Sequence, residues 1–191
     1  MWCRCKDGGK VFARQRESLR FDVDAICEAC GFVVSKVQPG ESRRGDDRLR
    51  SISLTHRVGA EDHFFDGNDS QFDQSGNKVY REEVFTEFNE DFKGAYFWEV
   101  YRQMPFQVGR MRLMVLPPRR SMQCTATPVA ARTSRSRPTR TAASSLGAGK
   151  PARPGGRQVY VFDTRGDHTA YNAGGEERVH LTMSMSDTEL G

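Results

Sequence analysis

Two side chains in this sequence are spaced to hold a small chelating acid and a metal together: His168 on a turn and Arg178, ten residues later, on a strand. Val159 to Phe162 is a short β-branched and aromatic run that ends at Asp163. Thr164 to Asp167 supply turn chemistry after it, and Ala173-Gly174-Gly175 supply a second turn. Arg178 to Met185 then reads as a strand, with Val179, Leu181, Met183 and Met185 on one face and Arg178, His180, Thr182 and Ser184 on the other. Arg178 is therefore expected to point wherever a polar cavity lies. A neutral imidazole suits Fe(II), and a guanidinium meets a carboxylate as a bidentate fork. The same residues also suit an ordinary surface hairpin, with a histidine at its bend and Arg178 paired to Glu176 or Glu177.

The elements that would position this pair are legible upstream. Arg110 to Leu116 alternates imperfectly and stops at Pro117-Pro118, as a strand should. Ser51 to Val58 is a shorter alternating strand. Gly59 to Asn77 is an acidic, Gly- and Asn-rich loop containing Glu61-Asp62-His63, where His63 with Asp62 or Asp66 reads as a substitute metal site or as a solvated ion pair. Val84, Phe85, Phe88, Phe92, Tyr96 and Val100 recur at helical spacings and predict a helix from Tyr80 to Arg102, interrupted near Gly94 and laid against the outside of a barrel. Asp22 to Phe32 predicts a second helix, with Val23, Ile26, Cys27 and Cys30 on its apolar stripe.

Phe162-Asp163, His168, Asn172 and Arg178-Val-His-Leu181, preceded by Gly109-Arg-Met-Arg-Leu-Met-Val-Leu-Pro-Pro118, resemble the C-terminal half of the aspartyl/asparaginyl β-hydroxylase-like family of 2-oxoglutarate oxygenases. The resemblance covers about residues 80–124 and 158–186. It implies an α+β fold with an antiparallel double-stranded β-helix, the jelly-roll of cupin-like proteins, and flanking helices. The same resemblance implies a 2-oxoglutarate and Fe(II)-dependent dioxygenase, a hydroxylase, in which His168 binds iron and Arg178 binds the distal carboxylate of 2-oxoglutarate, impaired as encoded because the first metal-ligand motif is missing. Asn172 matches the family pattern and reads as a turn-shaping residue. A non-enzymatic cupin-like binding module is the alternative.

The family also has a His-x-Asp or His-x-Gly after the Arg-Met-Arg-Leu-Met-Val-Leu strand, and then an Arg-x-His. This chain has four histidines, His56, His63, His168 and His180, and none of them lies between Met122 and Val159. Thr125 to Arg157 is instead Ala, Arg, Ser, Thr, Pro and Gly almost throughout, without an aromatic residue or a carboxylate. Read plainly it is a low-complexity linker expected to lack packed structure. Such a linker inside a jelly-roll would delete strands. The codons offer another reading. Taking the third base of each codon with the first two of the next, Cys124 to Thr127 permit His-x-Asp, and Thr133 to Arg140 permit His-Ile-Pro-Val-Thr-Thr-Asn-Pro. We therefore read 125–157 as an out-of-frame stretch, with the frame restored before Val159.

Length and charge bound the rest. A chain of 191 residues is one domain's worth, with 37% hydrophobic residues and a net charge of +4. Its organisation reads as an N-terminal helix-bearing segment at 1–50, an oxygenase-like domain at 51–124 and 158–186, the insert between them, and a tail at 187–191. Arginines crowd Arg119 to Arg157 without one acid, which would suit a polyanion, but no aromatic is interleaved for base stacking, so no specific nucleic-acid role is expected. Cys3-x-Cys5 and Cys27-x-x-Cys30 can form a tetrahedral zinc set, or two of them can be small buried hydrophobes. With no signal peptide or long apolar run, a reducing cytoplasmic setting without a membrane partner is expected, and the substrate is a small molecule or a peptide side chain left open.

Overall fold

The computed structural model describes residues 13–37, 40–41, 50–66, 80, 82–121, 140–146, 158–162 and 171–185. Among the described residues eleven strands and two α-helices lie in this order: β1 (Ala13–Arg20), α1 (Val23–Lys36), β2 (Gly40–Glu41), β3 (Arg50–Ser53), β4 (Thr55–His56), β5 (Glu87–Phe88), α2 (Tyr96–Arg102), β6 (Val108–Leu116), β7 (Arg120–Ser121), β8 (Arg140–Leu146), β9 (Gln158–Phe162), β10 (Tyr171–Asn172) and β11 (Arg178–Met185). The fold is mixed α+β. Seven strands form one antiparallel sheet in the order β1-β9-β8-β11-β6-β3-β2, and two-stranded ladders join β10 to β7 and β4 to β5. Among the described residues the strands do not close into a barrel. No described helix is long and apolar enough to cross a membrane.

Period-two alternation gives the central strands two chemically different faces. Met111 and Leu113 of β6, Leu181 and Met183 of β11 and Ile52 of β3 are fully buried and meet Ile26, Ala29 and Val33 of α1 and Phe97 and Val100 of α2. Each such aliphatic or aromatic side chain contributes roughly 1.5–3 kcal/mol by leaving water. The opposite face carries Arg110, Arg112 and Met114 on β6, with Arg178, His180, Thr182 and Ser184 on β11. β6 and β11 run in register from Arg178 opposite Leu116 to Met183 opposite Met111. There the register shifts, and Met185 pairs with Val108. At this bulge the Ser184 hydroxyl replaces ladder partners, accepting from the Arg110 N–H at 2.6 Å and donating to the Arg110 carbonyl at 3.3 Å.

Three local expectations need correction. The helix expected from Tyr80 to Arg102 forms only at Tyr96–Arg102. The rest is a 3₁₀ turn at Glu82–Val84, β5, and a second 3₁₀ turn at Glu90–Phe92. Asn89 breaks the helical path. Its backbone N–H donates to the Leu54 carbonyl at 2.9 Å, and its side chain accepts from the Asp91 N–H at 3.1 Å, capping the second turn. In α1 the buried stripe is Ile26, Ala29 and Val33, so Cys27, one position off the stripe, is exposed and Cys30 is half-buried. Within the stretch expected to lack packed structure, 140–146 forms β8, whose backbone lies between β9 and β11. A chain of small and β-branched residues can fill a ladder through main-chain hydrogen bonds alone, whatever its composition says about a core.

Candidate functional site

Arg178 starts β11, and the turn before it is built by Asn172. That side chain is buried, and its Nδ2 lies 3.1 Å from the carbonyl oxygens of Leu116 and Pro117 and 2.7 Å from that of Glu176. Its Oδ1 accepts from the Gly174 N–H at 3.0 Å. One amide thus ties the end of β6 to the start of β11, which fixes where Arg178 leaves the backbone, and Asn172 shapes the turn as expected. Gly174 packs close beneath it: a Cβ there would sit 3.2 Å from Asn172 Oδ1. The neighbouring Glu177 forms an ion pair with Arg50 on β3. Arg178 itself is half-buried opposite Leu116.

Beyond Arg178 the polar face continues half-buried through His180 and Thr182 to the buried Ser184. His180 stands opposite the buried Met114, and its Nε2 is buried without a hydrogen-bond partner among the described residues. Burial, then the nearby Arg178 charge, pushes its imidazole down to about 4, so the ring is neutral near pH 7. The next pair inward is Thr182 opposite Arg112, the Thr182 hydroxyl donating to the Arg112 carbonyl at 3.4 Å. Burial lowers the Arg112 pKa, and the Glu82 carboxylate opposes that shift. Arg110 is lowered by burial first and by Arg112 second, against the pull of Glu82 and Asp66. Its Nε lies 2.7 Å from Glu82 Oε2, and both side chains are about nine-tenths buried.

The 3₁₀ turn that carries Glu82 reaches this far because residue 109 is glycine. A Cβ on Gly109 would sit 2.4 Å from the Glu82 carbonyl oxygen and 2.8 Å from Ser184 Oγ. A cationic, half-dry face results: Arg110, Arg112 and Arg178 with a neutral imidazole among them, opposed by Glu82. Such a face is suited to an anionic ligand. Sequence reasoning found Arg178 but gave no role to Arg110, Arg112, His180 or Glu82. The alternation Arg-Met-Arg was the available signal for the two arginines. Nothing local marks Glu82.

His168 lies outside the described residues, as do Cys3 and Cys5. Among the described residues no group of three His, Cys, Asp or Glu side chains converges on a point that could hold a metal. The acids suggested beside His63 are engaged elsewhere. Arg57 holds Asp66 in a fork, with Nη2 2.8 Å from Oδ1, and Asp62 Oδ1 accepts from the Phe64 and Phe65 N–H groups at 3.0 Å. His63 stacks on the buried His56, the ring centroids 4.1 Å apart and 4° from parallel, so their in-plane lone pairs cannot meet at one ion. Those rings border a separate open cleft of about 410 Å³ with Glu87, Lys93, Trp98 and Tyr101. The Cys30 thiol is pushed up to about 12, by burial first and Cys27 second, which disfavours the thiolate that zinc requires.

No protein-family model matches this chain, and no curated protein matches it.

Proposed function

We propose that the chain is a 2-oxoglutarate and Fe(II)-dependent oxygenase of the aspartyl/asparaginyl β-hydroxylase-like type, whose first metal-ligand motif has been lost to a frame shift between about residues 125 and 157. The finer fold that belongs to this reading is a jelly-roll, with the seven-stranded sheet as its larger wall and the helices packed outside. The observation that carries the reading is the half-buried Arg178, set opposite Leu116 on a polar face it shares with Arg112 and His180. A guanidinium there can grip a carboxylate in a fork while neighbouring hydrocarbon keeps water from competing.

Iron does not fit the chain as written. A facial set needs two imidazoles and a carboxylate or their equivalents, and the sequence supplies His168 alone in the matching position. What remains is the co-substrate half: Arg178 binds the distal carboxylate, and Asn172 holds the strand that presents it. The non-enzymatic cupin-like module keeps the same anion contact and differs in lacking turnover after the frame is restored.

Two measurements test the reading. The nucleotide sequence of codons 122 to 159 should read, one base out of phase, as a His-x-Asp followed by Arg-x-His. A protein made from that restored frame should consume 2-oxoglutarate in the presence of Fe(II). Replacing Arg178 with Ala in it should weaken 2-oxoglutarate binding by roughly 2 to 5 kcal/mol, the cost of removing a buried partner from a charged hydrogen bond. Equal consumption with and without Arg178 would sink the assignment of β11 to the co-substrate.

A further inference from the structure

The polar groups of β11 are satisfied unevenly. Ser184 completes the bulge with the backbone of Arg110, and Thr182 donates to the Arg112 carbonyl. His180, between Thr182 and Arg178 on the same face, buries Nε2 with no partner among the described residues. An orphaned buried donor or acceptor costs roughly 1–3 kcal/mol, so native structures keep few of them without a compensating use. The position of this one is informative. Its Cα lies about 7 Å along the strand from that of Arg178, close enough for both side chains to reach the same end of one small anion. A guanidinium fork takes up one lone pair on each carboxylate oxygen and leaves the others for a further donor.

Resting on the functional reading above, we propose that His180 is a second recognition residue of the Arg178 site. Its Nε2–H donates a hydrogen bond to an oxygen of a bound dicarboxylate whose distal carboxylate is held by Arg178. The neutrality of the ring near pH 7 suits this role, since the imidazole supplies a donor without adding a charge beside two arginines. Binding would also remove the orphan, so the cost carried by the unliganded chain is recovered in the complex.

The test uses the full chain as encoded, with 2-oxoglutarate and glutarate as probes, followed by calorimetry and by the side-chain nitrogen resonances of His180. Saturating probe should bring the Nε2 signal of the unaltered chain to that of a protonated, hydrogen-bonded nitrogen. His180→Leu should weaken binding of both probes about tenfold, the loss of one hydrogen bond, and His180→Gln, which can place an N–H near the same point, should recover most of it. Arg178→Ala should weaken binding further. If the Nε2 signal does not move at saturation, or if His180→Leu binds as tightly as the unaltered chain while Arg178 still matters, the inference is wrong and the functional reading stands. If neither probe binds in an Arg178-dependent way, the functional reading falls and the inference falls with it. The spectroscopic measurement needs no variant, so a variant that fails to fold does not remove the test.

Discussion

Acid should destabilise this protein through His180, and the size of the effect follows from its burial. The folded imidazole is pushed from about 6.5 down to about 4, by desolvation first and the Arg178 charge second. Between those values the unfolded chain binds a proton that the folded chain does not. The unfolding free energy therefore rises with pH across that window: the contribution is complete above about 6.5 and is lost as pH falls toward 4. A shift of this size corresponds to roughly 3 kcal/mol at 1.36 kcal/mol per unit, an upper figure because the ring is not wholly enclosed. His180→Leu removes the titration while keeping side-chain volume. The assay is urea unfolding of both proteins at pH 4, 5, 6, 7 and 8. The stability of the unaltered chain minus that of the variant should climb by up to about 3 kcal/mol from pH 4 to 7 and then level off. Titrations shared by both proteins cancel in the difference. A difference flat within about 0.5 kcal/mol would show that His180 is solvated and that the dry character assigned to this face is wrong.

Further outcomes follow from the same geometry. The chain as encoded should bind Fe(II) weakly, and calorimetry giving a stoichiometric complex tighter than about micromolar would require ligands beyond His168. Asn172→Ala strips hydrogen bonds from the Leu116, Pro117 and Glu176 carbonyls and should cost about 2–4 kcal/mol in chemical unfolding; a loss under about 0.5 kcal/mol would deny it the turn-building role. Glu82→Gln leaves the buried Arg110 without its countercharge and should cost roughly 3–5 kcal/mol, much of it restored by adding Arg110→Met in a double-mutant cycle.

Much of the central sheet was legible because β11 alternates cleanly and β6, which alternates imperfectly, stops at Pro117-Pro118. Leu181 and Met183 fall in the core and Arg178 and His180 opposite them, as period two requires. The first helix was legible from its apolar spacing, though it runs to Lys36 rather than Phe32 and is capped by Asp22, whose carboxylate accepts from the Asp24 and Ala25 N–H groups at 2.9 and 3.3 Å. Phe85, Phe88 and Phe92 misled for a physical reason: their spacing of three and four matches a helix, yet they are buried from the residue after the first 3₁₀ turn, from a two-residue strand and from the second 3₁₀ turn, with Asn89 bonded to the Leu54 carbonyl between them. β1 and β8 carry few β-branched residues and are held by ladder partners far along the chain, and single-sequence patterning does not carry that information. The candidate site divided the same way. Arg178 could be read from its strand, but Glu82 reaches Arg110 by a tertiary approach over Gly109 that no local pattern encodes.

The small ladder between β7 and β10 has an architectural consequence of its own. Tyr171 pairs with Ser121 and Asn172 with Arg120, so two points far apart in the sequence lie side by side at a single doorway in the fold. The core contacts among α1, α2, β3, β6 and β11 are drawn from residues on either side of that doorway. Closing a chain segment costs only about 0.6 kcal/mol more for each doubling of its length, so the length of chain between the two ladder strands matters far less than the ladder itself. The described part of that span belongs to the scaffold: β8 pairs with β11 from Val179 to Met185, and β9 pairs with β8 and β1, so a change in β8 reaches the strand that carries Arg178. A lesion at Asn172, which bolts the doorway to β6, would act on the same strand from its other end.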